Sequence, residues 1–242
     1  MDRKITYKSF GEKAILIEWK ASINIDLLKD ILNFKSKVEK SNLIFADLIV
    51  GYNSLTIKFK EKITNFLIQI DHLKSIYKSK DKVIQFLNYL WEIPVCYDVE
   101  FGIDLEEISK STRLNKEQII KLHSNKIYTV FFTGFLPGFL YLGGLNRQLF
   151  IDRKATPRLQ IKKGSIAIGG KQTGVYPLNS PGGWNIIGKT PVNFFNITKE
   201  APCFANSGDK IQFKPISIEE FYKIEKEVIQ NSYQLSKILL ND

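Results

Sequence analysis

The 242-residue sequence predicts an α+β protein of two domains: a small α+β unit, then an all-β barrel or sandwich carrying a C-terminal helix. Three observations carry this reading. The length exceeds the usual single-domain range, so two cores of roughly 90 and 150 residues are expected. The first third alternates strand-like and helical patterns, whereas from Ile127 short apolar runs are punctuated by Gly and Pro clusters. Pro94 interrupts the pattern between the two textures, which places the domains at 1–92 and 93–242.

In chain order, residues near 3–8 and 14–19 alternate as strands around the turn-forming Gly11, and Leu27, Leu28, Ile31, Leu32 and Val38 recur at helical spacing. Two further strands flank the turn from Gly51 to Ser54, and a helical pattern follows from about Thr64, giving the order β-β-α-β-β-α. Periodicity does not assign the segment from Lys82 to Trp91. Asp104 is placed to cap a helix from Leu105 to Lys110, and Asn115 with Gln118 three positions on has the form of a capping box for Lys116 to Ser124. After the strand-rich region, Ser217 with Glu220 opens a polar-faced helix expected to run towards Leu240.

Composition narrows the functional classes. The formal charge is +10 and the isoelectric point about 9.4, but the lysines are spread over the whole length among glutamates, with no arginine-rich block. That describes a basic solvated surface and no nucleic-acid partner. The charged, alternating N-terminus lacks the apolar block of a secretory signal, and no run approaches the ~18 apolar residues of a membrane span, so a cytoplasmic protein without a membrane partner is expected. Cys96 and Cys203 stand far apart without CxxC spacing, which supports neither a disulfide framework nor a thiolate metal site. The two histidines, His72 and His123, have no acidic residues gathered near them, so no metal site is expected. The sequon at Asn196 carries no meaning without export.

Two motif matches are weighed and set aside. Gly183 to Thr190 fits the phosphate-loop formula GxxxxGK[ST], but that loop works only where a strand delivers it and a helix starts at its Lys-Thr. Here a Pro-Gly turn precedes it and a strand-favouring segment from Pro191 to Thr198 follows. The helix pair between Asp104 and Ser124 has the outline of a helix-turn-helix, yet its second helix offers Lys116, Glu117, Gln118 and Lys121, a poor set for base edges.

The Gly and Pro content of Gly134 to Leu145 and of Gly164 to Pro191 exceeds what hairpins need, and glycines at this density let backbone approach a ligand or partner closely. Within this surface Arg158, Gln172, Thr173, Tyr176, Ser180 and Trp184 offer a carboxylate clamp, amide-edge hydrogen bonds and an aromatic wall, which suits a small amide-bearing acid. The competing assignment makes Trp184 and Tyr176 core and gives Gln172 to the loop backbone.

These blocks carry a family resemblance. Ile93 to Ile108, His123, Phe131 to Leu145, ATPR at Ala155 to Arg158, QTGVYP at Gln172 to Pro177, SPGGW at Ser180 to Trp184, and Gly208-Asp209 resemble the PxpB family of 5-oxoprolinase subunits, also labelled allophanate hydrolase subunit 1 and, in one branch, the kinase inhibitor KipI. The match runs over about 120 residues in order, and the N-terminal part follows more loosely. Leu140 stands where the family usually has proline, Lys171 where it has a small residue, and Lys189 where arginine is common.

The resemblance implies a cyclophilin-like C-terminal barrel, a PxpC-like partner with a similar barrel, and a PxpA-like protein. Together they would open 5-oxo-L-proline to L-glutamate with ATP as cosubstrate, bound at a site the sequence does not reveal. It also implies roles. Arg158, Thr173, Ser180, Gly182 and Trp184 would bind substrate, with Arg158 on its carboxylate; His123, Gln172 and Tyr176 would be catalytic, with His123 orienting a loop or shuttling a proton. The alternative within the resemblance is a regulator docking on a sensor histidine kinase, and a third is a urea carboxylase-like system.

Overall fold

Residues 4–20, 22, 24–79 and 88–240 are described by the computed structural model, in which the chain divides into two compact units, Met1–Phe86 and Leu87–Asp242. Most of the unassigned stretch, residues 82–87, lies outside the described residues.

The first unit follows the expected order: β1 (Ile5–Ser9), β2 (Ala14–Trp19), α1 (Ile25–Lys40), β3 (Phe45–Val50), β4 (Ser54–Phe59) and α2 (Phe66–Lys78). Its antiparallel sheet runs β1-β2-β4-β3. Each helix starts on an asparagine side chain, Asn24 accepting from the Asp26 N–H and Asn65 from the Ile68 N–H, which fills a donor the first turn leaves open. Leu27, Ile31, Phe34 and Val38 of α1 and Leu73 and Ile76 of α2 close on Ile15, Ile17, Leu55 and Ile57 of the sheet.

The second unit begins with β5 (Asn88–Cys96), so Trp91 and Glu92 belong with the barrel. It continues through α3 (Leu105–Thr112), α4 (Lys116–Ser124), β6 (Ile127–Thr133), β7 (Leu140–Gly143), β8 (Arg158–Ile161), β9 (Ser165–Gly169), β10 (Gln172–Val175), β11 (Ser180–Gly182), β12 (Asn185–Lys189), β13 (Lys210–Ile216), α5 (Ile218–Ile229) and β14 (Lys237–Leu240). Strands pair in the order β12-β9-β10-β7-β6-β13-β5, and a β12–β5 contact at Lys189 and Cys96 closes a seven-stranded barrel. Seven residue pairs join β5 to β13 in parallel, and β14 adds to β5 at Asn88 to Trp91. Strands β8 and β11 form a separate ribbon. The barrel is filled by side chains such as Val95, Tyr128, Val130, Leu142, Ile168, Ile187 and Phe213, with Ile108 of α3 and Ile119 of α4 packed into the same core. The α+β class and the barrel unit are thus as expected.

Three local expectations change. The C-terminal helix stops at Ile229, because Asn231 takes a left-handed backbone (φ 56°), and the stretch near Leu240 is a strand. Asp104 occupies the N-cap position of α3 without capping it; its carboxylate is used elsewhere, as described below. Gly183 to Thr190 enters β12 and no helix follows, so its lysine sits on a strand. The capping box at Asn115 and Gln118, by contrast, forms with both hydrogen bonds. No helix among the described residues is long and apolar enough to cross a membrane.

Candidate functional site

His123, near the end of α4, is fully buried and hydrogen-bonded at both ring nitrogens. Its Nδ1 lies 2.8 Å from the Tyr97 hydroxyl and its Nε2 2.9 Å from Thr173 Oγ1. The Thr173 hydroxyl donates to the Ala167 carbonyl at 2.9 Å, so it can only accept from the imidazole. That assigns the proton to Nε2 and leaves Nδ1 to accept from Tyr97. Burial lowers the His123 pKa to about 3 and pushes the Tyr97 hydroxyl well above its ordinary value. The ring stacks on Phe213 at 4.7 Å, and the Tyr128 hydroxyl donates to the His123 carbonyl. A neutral imidazole sealed this way ties α4 to Tyr97, just after β5, and to Thr173 of β10.

The expected aromatic wall is a second, smaller core. Tyr176, Trp184, Phe139, Ile161 and Ile186 cluster together, with Tyr141 packed alongside. Phe139 meets Tyr176 and Trp184 edge-on at 5.3 and 5.6 Å. Tyr176 and Trp184 are almost wholly buried, and burial raises the Tyr176 hydroxyl pKa, which a bond to the Trp184 backbone partly offsets. Glycines make room for these rings. A Cβ on Gly169 would stand 2.7 Å from Trp184, one on Gly174 3.2 Å from Phe139, one on Gly143 inside the Phe131 ring and one on Gly182 against the Tyr176 hydroxyl. At these four positions the space a glycine leaves is taken by the protein's own aromatics. Thr173 is fully buried, while Gln172 is half-buried at the start of β10, its backbone paired with Gly169.

Arg158, on the β8–β11 ribbon, has a different setting. Its Nη2 donates to Asp104 Oδ1 at 2.6 Å, and Lys154 reaches the same oxygen at 3.1 Å. Asp104 Oδ2 accepts the Ile186 N–H at 2.7 Å, which pins the loop before α3 to β12. Burial lowers the Lys154 pKa, but Glu107 and Asp104 outweigh it and the net shift is upward. Arg158 Nη1 and Ser180 Oγ are buried atoms without a hydrogen-bond partner. Arg158 also lines a cavity of about 260 Å³ whose other walls come from the loop before α3, from β12 and from α5.

Six of the eight predicted residues therefore fall into three groups. His123 with Thr173 forms a buried tether; Tyr176 and Trp184, with Gly182 against the Tyr176 hydroxyl, form a packed core; Arg158 lines a cavity. Residues that sequence reasoning did not select, above all Lys189, Glu225 and Phe101, line that same cavity. Lys189 stood out in the sequence only as a departure from the family and as the letter completing the phosphate-loop formula.

Residues 5–205 match the family described as carboxyltransferase domain, subdomain C and D. The solved urea carboxylase of Kluyveromyces lactis superposes with a TM-score of 0.82 over 98% of this chain and 24% of that one, at 17% identity, a likeness of fold alone. Barrel, α+β unit and sequence match together define a carboxyltransferase-domain protein of the C and D type. The chain is 35% identical over 206 residues to the B-type 5-oxoprolinase subunit of Escherichia coli O157:H7, covering 85% of this chain and 93% of the relative. It is 45% identical over 136 residues to the B-type 5-oxoprolinase subunit of Bacillus subtilis (strain 168), a stretch that spans 56% of this chain and 57% of that relative. Within its class, the chain belongs to the PxpB family of 5-oxoprolinase subunits.

Proposed function

We propose that this chain is one subunit of an ATP-dependent 5-oxoprolinase, acting in the cytoplasm with PxpC-like and PxpA-like partners to convert 5-oxo-L-proline to L-glutamate. The observation that carries the reading is the 35% identity over nearly the whole length of a protein named as a B-type 5-oxoprolinase subunit. The chemistry explains the need for ATP. A five-membered lactam is a stable amide. Transfer of a phosphoryl group from ATP to its oxygen makes the ring carbon electrophilic, and water adds there. The C–N bond then breaks to free the amine and leave an acyl phosphate, and a second water displaces phosphate to give the carboxylate.

Within this reading Arg158 holds the substrate carboxylate. Asp104 fixes one side of the guanidinium, and the Arg158 side chain lines the cavity in which the carboxylate would sit. His123, Thr173, Tyr176 and Trp184 act as the frame that keeps β10, β12 and the ribbon in place. Nucleotide phosphates do not fit Gly183 to Thr190, which leads into a strand with no helix N-terminus behind it, and no nucleotide step is assigned to this chain.

The test is glutamate release from 5-oxo-L-proline and ATP by the chain alone and with both companions. Activity is expected only in the full mixture, and Arg158→Ala should raise KM by roughly ten- to a hundredfold, the worth of one charged hydrogen bond. A silent mixture whose three proteins are folded and bound would remove the enzyme reading and leave the regulator of a sensor histidine kinase.

A further inference from the structure

A second cavity in the barrel unit shares no lining residue with the one beside Arg158. Its volume is about 560 Å³, and its walls come from β5, the loop after β12, the C-terminal end of α5 and the segment leading into β14. Trp91, Phe204 and Tyr233 give it aromatic walls, and Val192, Val228 and Leu235 add aliphatic surface. The Trp91 indole N–H donates to Asp209 at 3.0 Å, and its ring lies 4.9 Å from that of Phe204, centre to centre. Rings already held in place receive a flat ligand ring at little cost in side-chain order.

The charges of the lining have one sign. Among the described residues around the cavity the charged ones are Lys199 and Lys237, whereas Glu100 and Glu225 stand in the walls of the cavity beside Arg158. Neither lysine is ion-paired with a described residue. Lys237 Nζ lies 5.1 Å from the centre of the Tyr89 ring and 5.8 Å from that of Trp91, so the rings place the ammonium beside the aromatic wall without taking up its donors. The Tyr233 hydroxyl adds a donor, since burial and the fields of Glu227 and Glu220 raise its pKa; neither of those carboxylates lines the cavity.

The backbone limits how much negative charge fits. Phosphate sites draw on helix N-termini or on runs of free N–H groups. Here α5 presents its C-terminal end, at Val228 and Asn231, where the helix dipole is negative. In the loop, the Asn196 N–H is spent on the Pro202 carbonyl, the Lys199 N–H on the Asn196 carbonyl and the Thr198 N–H on Asn196 Oδ1. Two side-chain cations without a backbone cradle suit a single carboxylate. The volume admits on the order of twenty non-hydrogen atoms at ~20–30 Å³ each, room for an acid of one or two rings.

We propose that this cavity binds a small aromatic monocarboxylate, its ring among Trp91, Phe204 and Tyr233 and its carboxylate at Lys237 and Lys199. The site is separate from the cavity assigned to 5-oxo-L-proline, and the proposal does not depend on the 5-oxoprolinase reading.

The experiment is a calorimetric titration of the folded chain with indole-3-acetate, its neutral analogue indole-3-acetamide, acetate and inorganic phosphate. Indole-3-acetate is expected to saturate at least tenfold more tightly than the amide, while acetate and phosphate do not saturate at the same concentrations. Lys199→Met combined with Lys237→Met, which keeps both apolar stems, should weaken indole-3-acetate at least tenfold with the circular dichroism spectrum unchanged. Ala201→Trp, at an exposed position of the loop, sets a ring into the cavity and should abolish binding without shifting thermal unfolding. The proposal is overturned if indole-3-acetate does not saturate, if the amide or phosphate binds as tightly, or if either variant binds indole-3-acetate like the parent chain.

Discussion

Lowering the pH from 7 to 5 is expected to cost the barrel unit about 2 kcal/mol through His123 alone. Burial holds this imidazole neutral down to about 3, against an ordinary value of 6.5. The unfolded chain takes up a proton below 6.5 that the folded chain refuses, so the contribution is complete above 6.5. It falls by about 1.4 kcal/mol per pH unit until the pH nears 3. Glu92, Glu106 and Glu219 also have lowered pKa values, each chiefly through a side-chain hydrogen bond, but their windows open below the ordinary carboxylate range and leave the interval from 7 to 5 to the histidine. A loss of ~2 kcal/mol is large beside the 5–15 kcal/mol of a typical domain. The assay is urea unfolding at both pH values. Trp91 and Trp184 report the barrel, and a Trp19→Phe background removes the signal of the first unit. His123→Gln, which can still donate to Thr173 but cannot titrate, is the reference. The parent should lose about 2 kcal/mol more than the variant on acidification. Equal losses would refute the sealed, neutral imidazole, as would an imidazole resonance of His123 that shifts between pH 7 and 5.

Further outcomes follow from the packing. Gly169→Ala should destabilise the barrel by about 1–3 kcal/mol, because its new Cβ meets Trp184 at 2.7 Å with little room to yield; thermal unfolding and near-ultraviolet dichroism report the shift and the disturbed indole. Asp209→Ala should cost roughly 2–3 kcal/mol, since one buried carboxylate serves the Tyr89 N–H, the Trp91 indole and the Asn206 N–H, and Trp91 fluorescence should change with it. Asp104→Ala leaves the Ile186 N–H without an acceptor and Arg158 without its partner, and a loss of about 2–4 kcal/mol is expected in denaturant titrations. Cys96 and Cys203, with thiol pKa values raised by burial, should resist a thiol reagent at pH 8 in the native chain and react in urea, as mass spectrometry would show.

The local grammar of this chain was legible wherever neighbours in sequence decide the outcome. The β-β-α-β-β-α order follows from alternation and helical spacing, and the Asn115–Gln118 box needs only residues three apart. What escaped depends on distant partners. Asp104 has the form of a cap, yet its carboxylate is claimed by Ile186 and Arg158, 82 and 54 positions away. The glycine clusters advertise open backbone, and only the fold reveals that the rings of Trp184, Phe139 and Tyr176 fill it. Arg158, selected as a carboxylate clamp, lines a cavity, whereas the Tyr176 and Trp184 grouped with it are inside a core. The cavity itself draws on four segments with no shared motif, which is why Lys189 and Glu225 carry no local signal of their place in it.

The parallel pairing of β5 with β13 sets an order on synthesis. Leu90 meets Lys210, so the first barrel strand leaves the ribosome roughly 120 positions ahead of the strand that will lie beside it. Until then β5 presents unpaired backbone and the apolar side chains Trp91, Ile93 and Val95 to the cell. The barrel is therefore a late-closing structure, and a ribosome stalled before residue 210 carries an exposed strand edge that invites pairing with other nascent chains or capture by a chaperone.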